Sequence, residues 1–192
     1  MSRNTKIVLG LLGVFLVLCI CAGAAGVFLF IRAGQALDEA MITDPQDAAE
    51  VGSRIADYDV PDGYTQSALS MLGFDMVMLT SEEQSDAFIL MMQFPDNIDF
   101  DREQMEQQVR AQVNRQMGSV GLDLDPVEMR DMEIRGQPVR MQVSEGSSSE
   151  GVEYRQWLTV FQGKSGPTML MISAPVERWD EQAMEAFVAS LR

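Results

Sequence analysis

Methionine is the first residue type in this chain whose spacing could do chemistry. There are 15 of them in 192 residues. Met76-x-Met78, Met91-Met92 and Met169-x-Met171 are spaced as thioether pairs that a soft ion such as Cu(I) would accept. In a strand, residues two apart share a face, and all three pairs fall in apolar runs, so core filling is the reading that fits. Asp57, Asp59 and Asp62 before Gly63, and Asp96, Asp99 and Asp101, offer the carboxylate oxygens that Ca²⁺ prefers. A calcium-binding hand needs a glutamate at the twelfth position, where Ala68 stands after Asp57, so turn formation and helix capping account for these aspartates.

Gly163-Lys164-Ser165 ends like a phosphate-binding loop. That loop needs a glycine five residues before Gly163, where Leu158 stands, and it opens a helix, whereas a strand is predicted here. Lys164 and Ser165 are also the residue types of a Ser/Lys nucleophile pair, but neighbours in a tight turn do not aim their side chains at each other. Paired carboxylates hydrolyse glycosides without histidine; among 29 Asp and Glu, no spacing singles out two. The chain has no histidine, which removes most general-base designs, the histidine-dependent triads and nearly all zinc sites. No catalytic, cofactor-binding or metal-binding residue is therefore assigned, and the expectation is a protein that is not an enzyme. The competing classes are a carboxylate-dependent hydrolase and an ion-binding module for Ca²⁺ or Cu(I).

The elements that must position such residues begin with Ile7 to Ile31, an apolar run interrupted only by Cys19 and Cys21. At 1.5 Å per residue it would extend roughly 37 Å as a helix, against about 30 Å of bilayer hydrocarbon. The sequence thus predicts a single-pass transmembrane helix, a signal anchor in a bacterial cell membrane. Arg3 and Lys6 precede it, while Asp38 and Glu39 follow Arg32, so residues 1–6 are expected in the cytoplasm and the C-terminal domain outside it. Ala22-Gly23-Ala24 would suit cleavage before Ala25, but the apolar run continues to Ile31, which favours an uncleaved anchor. Gly10, Gly13, Val17, Cys21 and Ala24 form a stripe of small residues through which two such helices could associate. With both cysteines in this run, the rest of the chain has no disulfide, thiol nucleophile or cysteine ligand. All 29 acidic residues but only 11 of the 14 basic ones lie beyond Arg32, and that field excludes nucleic acid as a partner.

A juxtamembrane helical linker is expected over residues 32–56. Ala33 to Ile42 keeps helical periodicity, and Asp44-Pro45 caps a second helix with Ala48, Val51 and Ile55 on its apolar face. An extracytoplasmic domain then covers residues 57–192. Strands are predicted over 64–72, 74–80 and 87–94, then a helix over about 102–117 with Met105, Val109, Val113 and Met117 in a stripe. Further strands come next over 126–135, with a bulge between Met129 and Met132, and over 137–144, 152–162 and 167–174. Glu145 to Gly151 is read as a flexible loop. Asp180 caps a closing helix over 181–191, with Trp179 stapled onto Met184. The fold class expected is α+β: a mainly antiparallel sheet of about six to seven strands flanked by helices and preceded by one transmembrane helix.

This layout, with its opening Pro61-Asp62-Gly63-Tyr64, resembles the Mog1/PsbP-like α/β/α sandwich over about residues 55–192. The stretches IRGQPVRMQVSEG and YRQWLTVFQGKSGP also look like those of bacterial membrane-anchored proteins with no assigned activity. The resemblance implies binding and accessory roles rather than catalysis, and it carries no site residue onto this chain. The function expected is that of a membrane-anchored extracytoplasmic binding or accessory domain, with the membrane as one partner through Ile7 to Ile31 and envelope proteins as others.

Overall fold

The computed structural model of the chain describes residues 41–71, 73–83, 86–95 and 122–192. They belong to one unit, Met41–Arg192.

Asp44 turns the chain into the first helix, α1 (Pro45–Ile55). Its Oδ1 accepts the amide hydrogens of Gln46 at 2.9 Å and Asp47 at 3.3 Å, filling donors that a helix start leaves unpaired. Pro45 sits where a missing N–H costs nothing, and Ala48, Val51 and Ile55 bury the narrow apolar face. At the other end of the domain, Asp180 does the same for α2 (Glu181–Ser190) by accepting from Ala183 N at 3.0 Å. A 3-10 turn, Val176–Arg178, leads into it.

The strands are β1 (Met41–Ile42), β2 (Tyr64–Met71), β3 (Phe74–Ser81), β4 (Phe88–Gln93), β5 (Leu122–Ile134), β6 (Gln137–Ser148), β7 (Glu153–Gln162) and β8 (Pro167–Pro175). Among the described residues they form one eight-stranded antiparallel sheet in the order β1-β2-β3-β4-β8-β7-β6-β5. The meander β5 to β8 is thus laid down in reverse, with β8 against β4 in the middle.

One face carries the main core. Val77, Leu79, Ile89, Trp157, Leu170 and Ile172 meet Val51, Ile55, Met184, Phe187 and Val188 from the two helices. Burying a side chain of this size stabilises by about 1.5–3 kcal/mol, so the helices are held by packing rather than by propensity. The other face holds a smaller cluster of Leu158, Met169 and Met171 with Phe88, Leu90, Met92 and Phe94 against it.

These facts correct the expected fold class. The sheet has eight strands rather than six to seven, and only two short α-helices accompany it among the described residues. Met41 and Ile42, read as the end of a helix, form a short edge strand paired with Leu69 and Ala68. The expected loop after Ser144 is strand: β6 runs to Ser148 because β5 and β7 both pair with it there. The bulge lies between Pro126 and Glu128, next to the proline that cannot donate to the ladder, and not between Met129 and Met132. The single-pass transmembrane expectation also finds no support, since no helix among the described residues is long and apolar enough to cross a membrane. Ile7 to Ile31, the association stripe from Gly10 to Ala24 and the helix expected over 102–117 all lie outside the described residues.

Candidate functional site

Among the described residues, a cleft of about 650 Å³ that could receive a ligand lies at the end of the sheet where β2, β3 and β8 meet α2. Three segments far apart in sequence build it: the loop 59–64, the β3–β4 connection around Ser81, Glu83 and Ala87, and the run from Ala174 to Ser190.

Backbone chemistry fixes the loops. Gly63 takes φ +76°, the left-handed region open to glycine without penalty, and its carbonyl accepts Glu82 N–H at 2.8 Å. Tyr64 N–H donates to Pro61 O at 3.2 Å, and Ser81 N–H to Ala87 O at 3.0 Å. From the helix side, Ser190 Oγ accepts Asp59 N–H at 3.1 Å and donates to Phe187 O at 2.7 Å, so the loop is tied to α2.

Trp179 supplies one wall, and a stack of side chains positions it. Its ring lies 5.3 Å from that of Trp157, with the Arg130 guanidinium 5.3 Å over Trp157 and Arg155 5.8 Å over Trp179. Glu181 closes the stack: it accepts Trp179 Nε1–H at 2.6 Å, pairs with Arg155 at 3.1 Å and with Arg130. Burial pushes the Glu181 carboxyl up, but the hydrogen bonds from Arg130 and Trp179, with the charges of both arginines, hold it below its ordinary value. Arg155 is held on its far side by Glu145 at 2.6 Å.

The cleft itself is acidic. Asp62 and Glu83 are exposed and have no ion pair among the described residues. Asp59 has one loose contact, to Arg192 at 3.5 Å, and Asp180 is engaged as a helix cap. Among the described residues the single cation in the lining, Arg178, already faces Asp86 at 3.6 Å. Burial, and then the charge of Asp180, raise the Tyr64 phenol above its ordinary value, so it stays neutral. Among the described residues, neither serine of the lining, Ser81 or Ser190, is hydrogen-bonded to a carboxylate or amine side chain, and so neither has a base there to activate it.

Comparison with solved structures places this arrangement. The cyanobacterial PsbP protein (CyanoP) of Synechocystis aligns with a TM-score of 0.54 at 12% identity, over 79% of this chain and 90% of that one. The domain has the PsbP-like fold. Two further solved structures align less well. One is a Bacteroides thetaiotaomicron protein, at 10% identity and TM-score 0.39 over 71% of this chain and 48% of the other. The second is LpqN, involved in cell envelope biogenesis of Mycobacterium tuberculosis, at 11% and 0.36 over 70% and 80%. No protein-family description and no curated protein matches the sequence.

Within the PsbP-like frame, the residues singled out in the sequence fall in separate places. Asp57 is not a calcium ligand in waiting: Lys164 Nζ donates to its Oδ1 at 2.6 Å and to Ser53 O at 2.9 Å. No group of three acidic side chains converges on a metal position among the described residues, and Asp96, Asp99 and Asp101 lie outside them. Gly163-Lys164-Ser165 is the β7–β8 turn, where Ser165 N–H donates to the buried Gln93 Oε1 at 3.2 Å. Met76 pairs with Met92 and Met92 with Met169 across β3, β4 and β8, and of these Met92 and Met169 belong to the smaller apolar cluster. Met91 points to the other face and is fully buried, so Met91-Met92 is no pair at all. The cleft is not visible in the sequence as a unit: Asp62 reads there as a calcium candidate, Trp179 as a staple, and Tyr64 as the start of a strand and the end of the Pro61-Asp62-Gly63-Tyr64 opening.

Proposed function

We propose that the domain is a binding or accessory module, not an enzyme, and that the cleft between residues 59–64 and α2 is where it meets a protein partner. The observation that carries this is the pairing of a partly exposed aromatic wall with carboxylates, Asp62 and Glu83, that have no ion pair among the described residues, in a cleft where no nucleophile and base are in contact among those residues. The PsbP-like scaffold, which implies binding and accessory roles, supports the same reading. The partner class that goes with it is a protein of the cell envelope, and nucleic acid is excluded by charge.

The test is photo-crosslinking in cells, with a photoreactive amino acid in place of Asp62 or Glu83 and, as a control, in place of Glu133 on β5. Reproducible recovery of one protein from the cleft positions, absent from the control, is the expected result. Equal labelling at all three positions, or labelling of no protein, overturns the proposal.

A further inference from the structure

The acidic side chains at the cleft would be ordinary solvated surface if they stood on a flat face. They stand instead on the rim of a groove with apolar walls. Val60 is 41% exposed, and Pro61, Tyr64, Trp179 and Ala183 are partly exposed beside it. Asp59, Asp62, Glu83 and Asp180 contribute negative charge to this one opening. The positive end of α2 opens there too, but it is offset by its cap Asp180 and by Glu181 in its first turn. Arg178, the only lining cation among the described residues, is turned to Asp86. What remains unmatched among the described residues is therefore negative charge next to partly exposed aromatic and aliphatic surface.

We infer that the cleft takes a short basic, amphipathic segment of its partner, in which lysine or arginine alternates with an apolar residue. This rests on the cleft being the proposed partner site and adds the chemistry of the occupant. The cations sit at the rim with Asp62 and Glu83, and the apolar residues lie on Trp179, Tyr64 and Val60. Charge complementarity of this kind chooses partners and speeds encounter, and the apolar wall supplies the area that rim charges alone do not. An arginine over the Trp179 ring would extend a stack that already holds two guanidiniums.

The experiment uses the full chain, kept in non-ionic detergent because of its apolar N-terminal stretch, and fluorescent hexapeptide amides read by anisotropy. The probes alternate arginine with leucine, glutamine with leucine, glutamate with leucine, and arginine with serine. The arginine–leucine peptide is expected to bind at least about 10-fold more tightly than the other three, and to weaken as salt rises. Asp62→Asn with Glu83→Gln should weaken it about 10-fold, as should Val60→Asp by a loss of apolar wall, while Asp123→Asn with Asp125→Asn on β5 leaves it unchanged. These residues are exposed, so melting curves should match the parent and confirm folding. Equal binding of the arginine–serine peptide, or equal loss from the β5 variant, would mean attraction to net charge alone and overturns the inference. If the crosslinked protein is recovered from the cleft yet the arginine–leucine peptide neither binds nor displaces it, this inference fails while the binding-module reading stands. If no protein is recovered, both fall.

Discussion

Gly52 offers a stringent test of how the loop bearing the cleft is seated. It lies inside α1, where alanine would ordinarily be preferred by about 1 kcal/mol. Here a Cβ at position 52 would stand 2.0 Å from Tyr58 Oη, 2.9 Å from Tyr58 Cζ and 3.0 Å from Gln66 Nε2. Tyr58 cannot swing away easily, because its ring packs edge-on against Phe187 at 6.0 Å. Overpacking a filled site costs about 1–3 kcal/mol. With the contact this short and the neighbour pinned, the upper end applies, and after the helix gain Gly52→Ala should lose about 2 kcal/mol. For a chain of this size that is a fall of about 4–8 °C in Tm. The Tyr58 hydroxyl and the Gln66 amide nitrogen are buried without a hydrogen-bond partner of proper geometry among the described residues, so Tyr58→Phe should be nearly neutral. In that background the 2.0 Å contact is gone while the 2.9 Å contact to Cζ remains, so Gly52→Ala should cost at most about 1 kcal/mol. The four proteins, followed by urea and thermal unfolding, should therefore give a coupling of about 1–2 kcal/mol. A Gly52→Ala variant that melts higher than the parent, or a coupling below about 0.5 kcal/mol, would refute the packing of Tyr58 against α1.

Three further outcomes are expected. Glu181→Gln keeps an acceptor for Trp179 but removes the charge shared by Arg130 and Arg155; it should cost about 1–2 kcal/mol and weaken the near-ultraviolet circular dichroism of the two tryptophans. An unchanged spectrum would mean that Glu181 does not hold the stack. Lys164→Met concerns acid stability: the hydrogen bond from Lys164 holds the Asp57 carboxyl below its ordinary value near 3.8. A depressed carboxyl contributes stability above the unfolded-state value and loses it as pH falls through the folded one, so the Tm deficit of the variant should be full at pH 7 and shrink below about pH 3.8. A deficit independent of pH would assign the effect to packing. Gly146→Ala puts a Cβ 1.8 Å from the carbonyl oxygen of Asp123, which is backbone and cannot yield alone. It should cost about 3 kcal/mol and raise amide exchange over residues 122–126, and normal exchange there would contradict the register of β5 and β6.

Local chemistry is legible in the sequence where a few adjacent residues decide the outcome. Asp44-Pro45 and Asp180 start helices as their residue types imply, and the turn at Arg135-Gly136 joins β5 to β6 with both residues at positive φ. Composition misleads where pairing decides. Glu-Gly-Ser-Ser-Ser-Glu-Gly has the make-up of a loop, yet its first half is central strand because neighbours on both sides accept its ladder. Gly146 is there because β5 comes so close, which no local pattern announces. The cleft is illegible for the same reason: residues 59–64, the trio Ser81, Glu83 and Ala87, and residues 174–190 acquire a common surface only when β8 crosses back beside β4.

The contacts around Lys164 also bear on the order in which the fold assembles. Lys164 N–H donates to Ile55 O, while Asp57 and Arg192 exchange backbone hydrogen bonds at 2.9 and 2.8 Å. The β7–β8 turn and Arg192, just beyond α2, thus both meet the exit of α1, each more than 100 residues from it in sequence. Closing loops of that length is entropically expensive before other contacts exist. The junction should be made after the folding barrier is crossed, so Lys164→Met should quicken unfolding and leave the folding rate almost untouched. Its contribution is to how long the native state lasts more than to how quickly it is reached.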